Sequence, residues 1–431
     1  MKKGDSVMIP RFALIEQTLP NKFLNDIPHE ICAELTKHKL SDKVKPGMRI
    51  AITAGSRGIK NIPLILRTLA NQVRECGGEP FLVPTMGSHG GATAEGQLEV
   101  LEGLGITQET VGAPIMATMD VVQLGETSRG IPVYLDAYAA KADGIIIVAR
   151  VKPHTDFRAN IESGLHKMIT IGLGKHKQAL EIHRHGMKGV VVHMPEVAQM
   201  VLEKAPVLLG LAILENGYDQ TAKIVVLEPS EFATEEPKLL EEARALMPIL
   251  PFDEADVLLV GEIGKNFSGT GLDTNVIGRM RIYGEPEFDR PRIQYIVAHD
   301  LSVATHGNAT GIGLADFTTQ KLMDKSDYKL LLENVLTGTN IYRGNIPLVL
   351  SNDRSAIEAA QRCLWMEKPV QARMAYILNT LEVSRLLVSE SLLPVVSKQM
   401  GVKVLSELNE LEFDGEGNII LPTGLHANYL Y

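Results

Sequence analysis

Residues Gly144–Gly186 read GIIIVARVKPHTDFRANIESGLHKMITIGLGKHKQALEIHRHG, and the fold and chemistry of the chain turn on this stretch. It opens with an unbroken apolar run, Ile145–Val148, of the kind needed by a strand buried on both faces. After that run come His154, Asp156, Arg158, Glu162, His166, Lys167, Lys175, His176, His183 and His185, a concentration of titratable groups that no other segment matches. In a parallel α/β sheet, ligands bind at the loops leaving the carboxyl ends of strands, so polar groups that follow a buried strand are placed for chemistry.

Working outward, the same strand–loop–helix unit precedes this stretch twice. Met48–Thr53 runs into Ala54-Gly55-Ser56-Arg57-Gly58 and a helix from about Asn61 to Cys76. Pro80–Val83 runs into Gly87-Ser88-His89-Gly90-Gly91-Ala92-Thr93 and a helix to about Leu104. Each unit offers backbone N–H groups at a helix start, which suits an anion such as a phosphate and makes Ser56, Ser88 and Thr93 candidate contacts for one. Strand and helix signals continue to a charged helix from about Glu235 to Leu246. Two prolines, Pro248 and Pro251, then mark a linker. A fresh α/β pattern begins at Ala255–Val260. The expectation is therefore two α/β domains, 1–250 and 251–431, with a ligand cleft between them.

Bulk properties narrow the function. The 431 residues are 45% hydrophobic and 22% charged, with a net charge of −9, as in an ordinary globular protein and not a nucleic-acid binder. No apolar stretch reaches membrane-spanning length and no signal-peptide core follows Lys2-Lys3, so no membrane partner and a cytoplasmic location are expected. Cys32, Cys76 and Cys363 form neither a disulfide framework nor a CxxC pair, and buried structural thiols are expected. There is no P-loop, HExxH or GxSxG motif, and Gly311-Ile312-Gly313 lacks the third glycine of a dinucleotide fingerprint.

The histidines constrain one another. His183 and His185 are two apart, about 200° on a helix, so at most one serves a given site. Lys167 and His183 would lie about 24 Å apart on one straight helix. Gly172 and Gly174 lie between them, and a break there would let a second helix fold back and bring the two together.

Four pieces, Gly55-Ser56-Arg57, Gly87–Thr93, Lys152-Pro153-His154 through His183, and Gly264-Lys265-Asn266, resemble the nickel-dependent lactate racemase family, whose members racemise or epimerise 2-hydroxy acids. The resemblance implies nickel held in a pincer made from a pyridinium thioamide/thiocarboxylate mononucleotide. Lys167 is then the tethering lysine, His183 the nickel ligand, and His89 and His154 the paired bases. Arg57 and Lys265 become the cations that hold the substrate carboxylate, Lys265 coming from the second domain. It also implies cofactor-biosynthesis proteins as partners and leaves a homo-oligomer open. Two departures, Ser163-Gly164-Leu165-His166 ahead of the lysine and Gly-Gly-Ala-Thr without Arg-Pro after His89, bear on the substrate and not on the cofactor.

The chemistry gives such a set its logic. The C2–H beside an ionised carboxylate is very weakly acidic, so leaving as hydride to an electron-poor cofactor carbon is the easier route, while a neutral histidine takes the hydroxyl proton. Two enantiomers present their hydroxyls from two directions, hence two imidazoles. A non-catalytic carrier of the cofactor or of a hydroxy acid, and a metal-dependent isomerase or lyase working by proton abstraction, stay open at this stage.

Overall fold

A computed structural model describes residues 8–56 and 58–425. The chain forms two compact units, one comprising Pro20–Met247 and the other Met1–Leu19 with Pro248–Tyr431. The chain divides after Met247, and residues 8–19 fall with the unit that follows that point. Strand β1 (Phe12–Gln17) explains this. It alternates no polar face, is buried nearly throughout, and finds its hydrogen-bonding neighbours in late strands of the other unit.

In the Pro20–Met247 unit, β2 (Arg49–Ala54), β3 (Glu79–Pro84), β6 (Gly144–Arg150), β7 (Val207–Glu215) and β8 (Thr221–Leu227) form a sheet in the order β3-β2-β6-β7-β8. All neighbours run parallel except β7 and β8. A separate antiparallel ribbon pairs β4 (Val121–Glu126) with β5 (Pro132–Asp136).

The β6 strand lies at the centre, where its apolar run places it. Ile146 and Val148 point into one core with the helices Ile27–Lys37 and Ile62–Glu75. Ile145, Ile147 and Ala149 point into the other, against Met194–Lys204 and Phe232–Leu246. Burial on both faces leaves no room for a polar residue before Arg150, so every reactive group is displaced to the strand ends.

The other unit holds an eight-stranded mixed sheet. The strands β9 (Glu254–Ile263), β10 (Arg292–Leu301), β11 (Phe317–Thr319), β12 (Leu348–Leu350) and β13 (Met374–Ile377) pair in parallel, and β14 (Arg385–Ser389), β1 and β15 (Val402–Val404) add antiparallel edges. The molecule is thus α/β. Among the described residues, no helix is long and apolar enough to cross a membrane. The cysteines depart from expectation: Cys363 is exposed, and Cys32 and Cys76 are partly so.

Candidate functional site

The loops leaving β2, β3 and β6 meet one short helical segment. A Cβ on Gly55, just past β2, would lie 3.0 Å from Met168 Cε, and one on Gly87, past β3, would lie 3.0 Å from Ile171 Cγ2. Met168 and Ile171 belong to a π-helical turn, Met168–Gly172, that directly follows Lys167. Such wide turns occur frequently at functional sites. Here the turn carries Lys167 to the carboxyl edge of the sheet.

Lys167 is half-buried and its Nζ lies 2.7 Å from Nε2 of His154. His154 is fixed from several sides. Its backbone N–H donates to Glu162 Oε2 at 2.6 Å, the backbone N–H of Asp156 donates to its Nδ1 at 3.0 Å, and its ring stacks on Phe157 at 4.5 Å. Glu162 is the hub of this loop. Its buried carboxylate also accepts from the backbone N–H of Ala159 and from the Arg244 guanidinium, so its charge is matched and both oxygens are used.

The fold-back expected between Lys167 and His183 is present. The π-turn ends at Gly172 and a second helix, Lys175–His183, begins after a break. The residue in the left-handed region is Lys175 (φ 55°) and not a glycine. Gly174 serves instead as the close approach, since a Cβ there would fall 2.4 Å from Thr170 O. The strained backbone at Lys175 is held by its side chain. The fully buried ammonium contacts Asp136 Oδ2 at 3.1 Å and Gln97 Oε1 at 3.3 Å, and donates to the Pro84 carbonyl.

His183, at the end of that helix, feels its neighbours. Crowding by protein atoms pushes its pKa below the ordinary imidazole value, Lys167 acts in the same direction whenever it is charged, and Asp156 opposes both. The neutral form, which a metal requires, is therefore favoured. The ring surface stays open to solvent, so the site is accessible. Among the described residues, no three His, Cys, Asp or Glu side chains gather as a metal cage.

His89 is exposed on the loop after β3. That loop is pinned by Gln97, whose Nε2 donates to Gly87 O at 3.0 Å and His89 O at 3.4 Å, while its Oε1 meets Lys175. Lys175 thus ties the His89 loop to the helix that ends in His183. Ser56 and Ser88 sit half-buried on the two loops. Thr93 is used otherwise than expected. Its hydroxyl caps the Ala94–Gly103 helix by accepting from Gly96 N–H at 3.0 Å and donating to Gly90 O at 3.1 Å, which leaves little capacity for a phosphate. Arg57 lies outside the described residues.

Lys265 belongs to the other unit, just past the carboxyl end of β9. Its backbone N–H donates to Thr305 Oγ1 at 3.1 Å and its Nζ to the side-chain oxygen of Asn334. His166, next to the candidate lysine, is buried with Nδ1 2.7 Å from Glu236 Oε2 and is part of the structure's interior. His185 faces Glu181 and His193. The roles of Glu162, Arg244, Asp136, Gln97 and Lys175 were not assignable from sequence, because their partners come from distant elements: Glu162 and Arg244 are 82 residues apart.

Residues 20–192 match the lactate racemase N-terminal domain. The described chain is also similar to the lactate racemase apoprotein from Thermoanaerobacterium thermosaccharolyticum, with a TM-score of 0.54 and 11% identity over 86% of this chain and 99% of that one. At that identity the likeness is one of fold. No curated protein sequence matches the chain. The matched segment contains His89, His154, Lys167 and His183 together, and over it the chain is similar to the lactate racemase N-terminal domain.

Proposed function

We propose that this protein is a racemase or epimerase that inverts C2 of a small 2-hydroxy acid. The observation that carries the proposal is the convergence of Lys167, His154 and His183 at the carboxyl edge of the sheet, inside the segment matched to the lactate racemase domain. The donor set fits the group that the family implies. Lys167 offers a half-buried amine for a covalent link, and His183 an imidazole for nickel whose other donors would come from the pincer nucleotide. When bound, that group supplies an acceptor for the C2 hydride.

The chain supplies the rest. His89 and His154 stand on the loops after β3 and β6, and each would take the hydroxyl proton of one enantiomer and return it to the other. Glu162, by binding the backbone at His154 and Ala159, holds the His154 loop in register. Arg57 and Lys265 are each a candidate cation for a substrate carboxylate. Ser56 and Ser88 remain candidates for the nucleotide phosphate. The cofactor-biosynthesis proteins are the partners this reading requires.

The test is a panel of enantiopure 2-hydroxy acids given to protein co-produced with the cofactor-biosynthesis proteins and followed by chiral chromatography. The expected result is loss of optical purity at C2 with the C2 hydrogen retained in heavy water. Exchange of that hydrogen with solvent would favour proton abstraction, and binding without inversion would make the protein a carrier.

A further inference from the structure

Exposed apolar side chains are concentrated in one short run of the unit that carries Lys265. Tyr328, Leu336, Ile341 and Leu348 are 61–65% exposed, and Leu332 and Ile346 are 42–43% exposed. Single apolar residues scattered over a surface need no explanation, whereas a contiguous patch of several hundred Å² marks a place where something docks. Tyr328, Leu332 and Leu336 are four residues apart on the helix Tyr328–Gly338 and so share one stripe, about 80° wide. Leu331 and Val335 on the inward side are buried and already anchor the helix to its unit, so the outer stripe is surplus to the fold. Val335 also reaches the turn Ile341–Gly344, where a Cβ on Gly344 would lie 2.7 Å from its Cγ2, and the stripe thus continues onto Ile341. The chain then enters β12, the outermost strand of its sheet, which pairs with β11 and leaves its other side bare.

We propose that this face is the seat of a second copy of the same chain, with the two helices Tyr328–Gly338 packed antiparallel about a two-fold axis near Leu332. Area and charge select a copy over another partner. The six exposed side chains present on the order of 600 Å², so a symmetric pair would cover about 1,200 Å² before any rim is counted, the lower limit of a stable interface. Lys329 and Glu333 border the stripe on one flank, both exposed, and among the described residues neither side chain has a partner. Lysine ahead of glutamate at a spacing of four is the weaker order for a pair within one helix. Two antiparallel copies answer both charges at once, because the two-fold axis turns each Lys329 toward Glu333 of the partner subunit. A different protein would need that pattern built separately, whereas this chain already holds both halves of it. Asn334, on the side of the helix away from Leu332, takes the Lys265 ammonium, so the interface would also brace the helix that positions that group.

The test is sedimentation of the full-length protein between about 1 and 50 µM. The expected result is a species of twice the chain mass that dissociates on dilution. Leu336→Glu sets a charge in the middle of the apolar stripe and should weaken association at least about 100-fold. Lys329→Glu sets like charges against each other and should weaken it about tenfold, and adding Glu333→Lys to it should restore the wild-type constant, because the swapped pair meets across the axis again. A wild-type chain that stays monomeric at the highest concentration, a dimer indifferent to Leu336→Glu, or a swap that restores nothing would overturn the proposal. Should a variant misfold, amide exchange of the wild-type chain decides: protection gained at the higher concentration within 328–350 supports the dimer, and its absence from that segment refutes it.

Discussion

The two units solve one architectural problem differently. Both align parallel strands and so gather loops at one edge, where ligands bind in this kind of fold. In the Pro20–Met247 unit, the edge beyond β6 brings Lys167 against His154, with His183 within electrostatic reach. In the other unit, the loop past β9 places Lys265 against the amide of Asn334 and the hydroxyl of Thr305. One edge gathers an amine and two imidazoles. The other holds a lysine hydrogen-bonded through its backbone to a hydroxyl and through its Nζ to an amide oxygen. On the function proposed above, the chemistry belongs to the first unit.

That division can be strained hardest at Lys175. Its ammonium is the partner of Asp136, which is itself wholly buried and whose pKa is raised by burial against the pull of Lys175. Lys175→Met strands that carboxylate, and the cost should be about 3–5 kcal/mol of stability, read as a lower urea midpoint. The helix ending in His183 and the loop bearing His89 should lose amide protection in the same variant, because Lys175 joins both.

Asp353 tests the second unit by acid. Burial would raise its pKa, but His299, 3.0 Å from its Oδ1, together with Ile419 N–H and Lys321, brings it down to about 2. A carboxylate depressed in the folded state stabilises it above the unfolded value near 3.8. This contribution, roughly 2 kcal/mol, should be complete above about pH 4 and disappear as the pH falls toward 2. Asp353→Asn should flatten the acid limb of a stability-against-pH curve. An unchanged limb would assign the contact no energetic role.

Glu162→Gln sharpens the contrast more finely. It removes the carboxylate that holds the His154 backbone while sparing every group proposed to meet cofactor or substrate. Turnover should fall about 10- to 100-fold, with any adduct on Lys167 retained. Loss of adduct and turnover together would make Glu162 a determinant of loading instead.

Much of the first unit was legible because its signals are local. An apolar run with no polar alternation forces β6 to the sheet centre, and the glycine-rich loops mark the strand ends. Gly172 and Gly174 signalled the fold-back, although the positive φ fell on Lys175, where a buried ion pair and not a missing Cβ sustains it. What escaped was non-local. The strand Phe12–Gln17 reads as any short strand, and only pairing with Arg385–Ser389 and Val402–Val404 reveals its unit. Thr93 carries a hydroxyl suited to a phosphate or to a cap, and the N–H of Gly96 claims it. Glu162 and Arg244 show no mutual signal across the intervening chain.

On the function proposed above, Lys167 and His183 hold one nickel-bearing group between them. Its most direct test is peptide-resolved mass spectrometry with nickel analysis on protein co-produced with the cofactor-biosynthesis proteins. The expected result is a nucleotide-sized adduct on the peptide containing Lys167 with nickel in step with it, both absent from Lys167→Ala. Nickel bound to a chain whose Lys167 is unmodified, or an adduct that persists in Lys167→Ala, would contradict it.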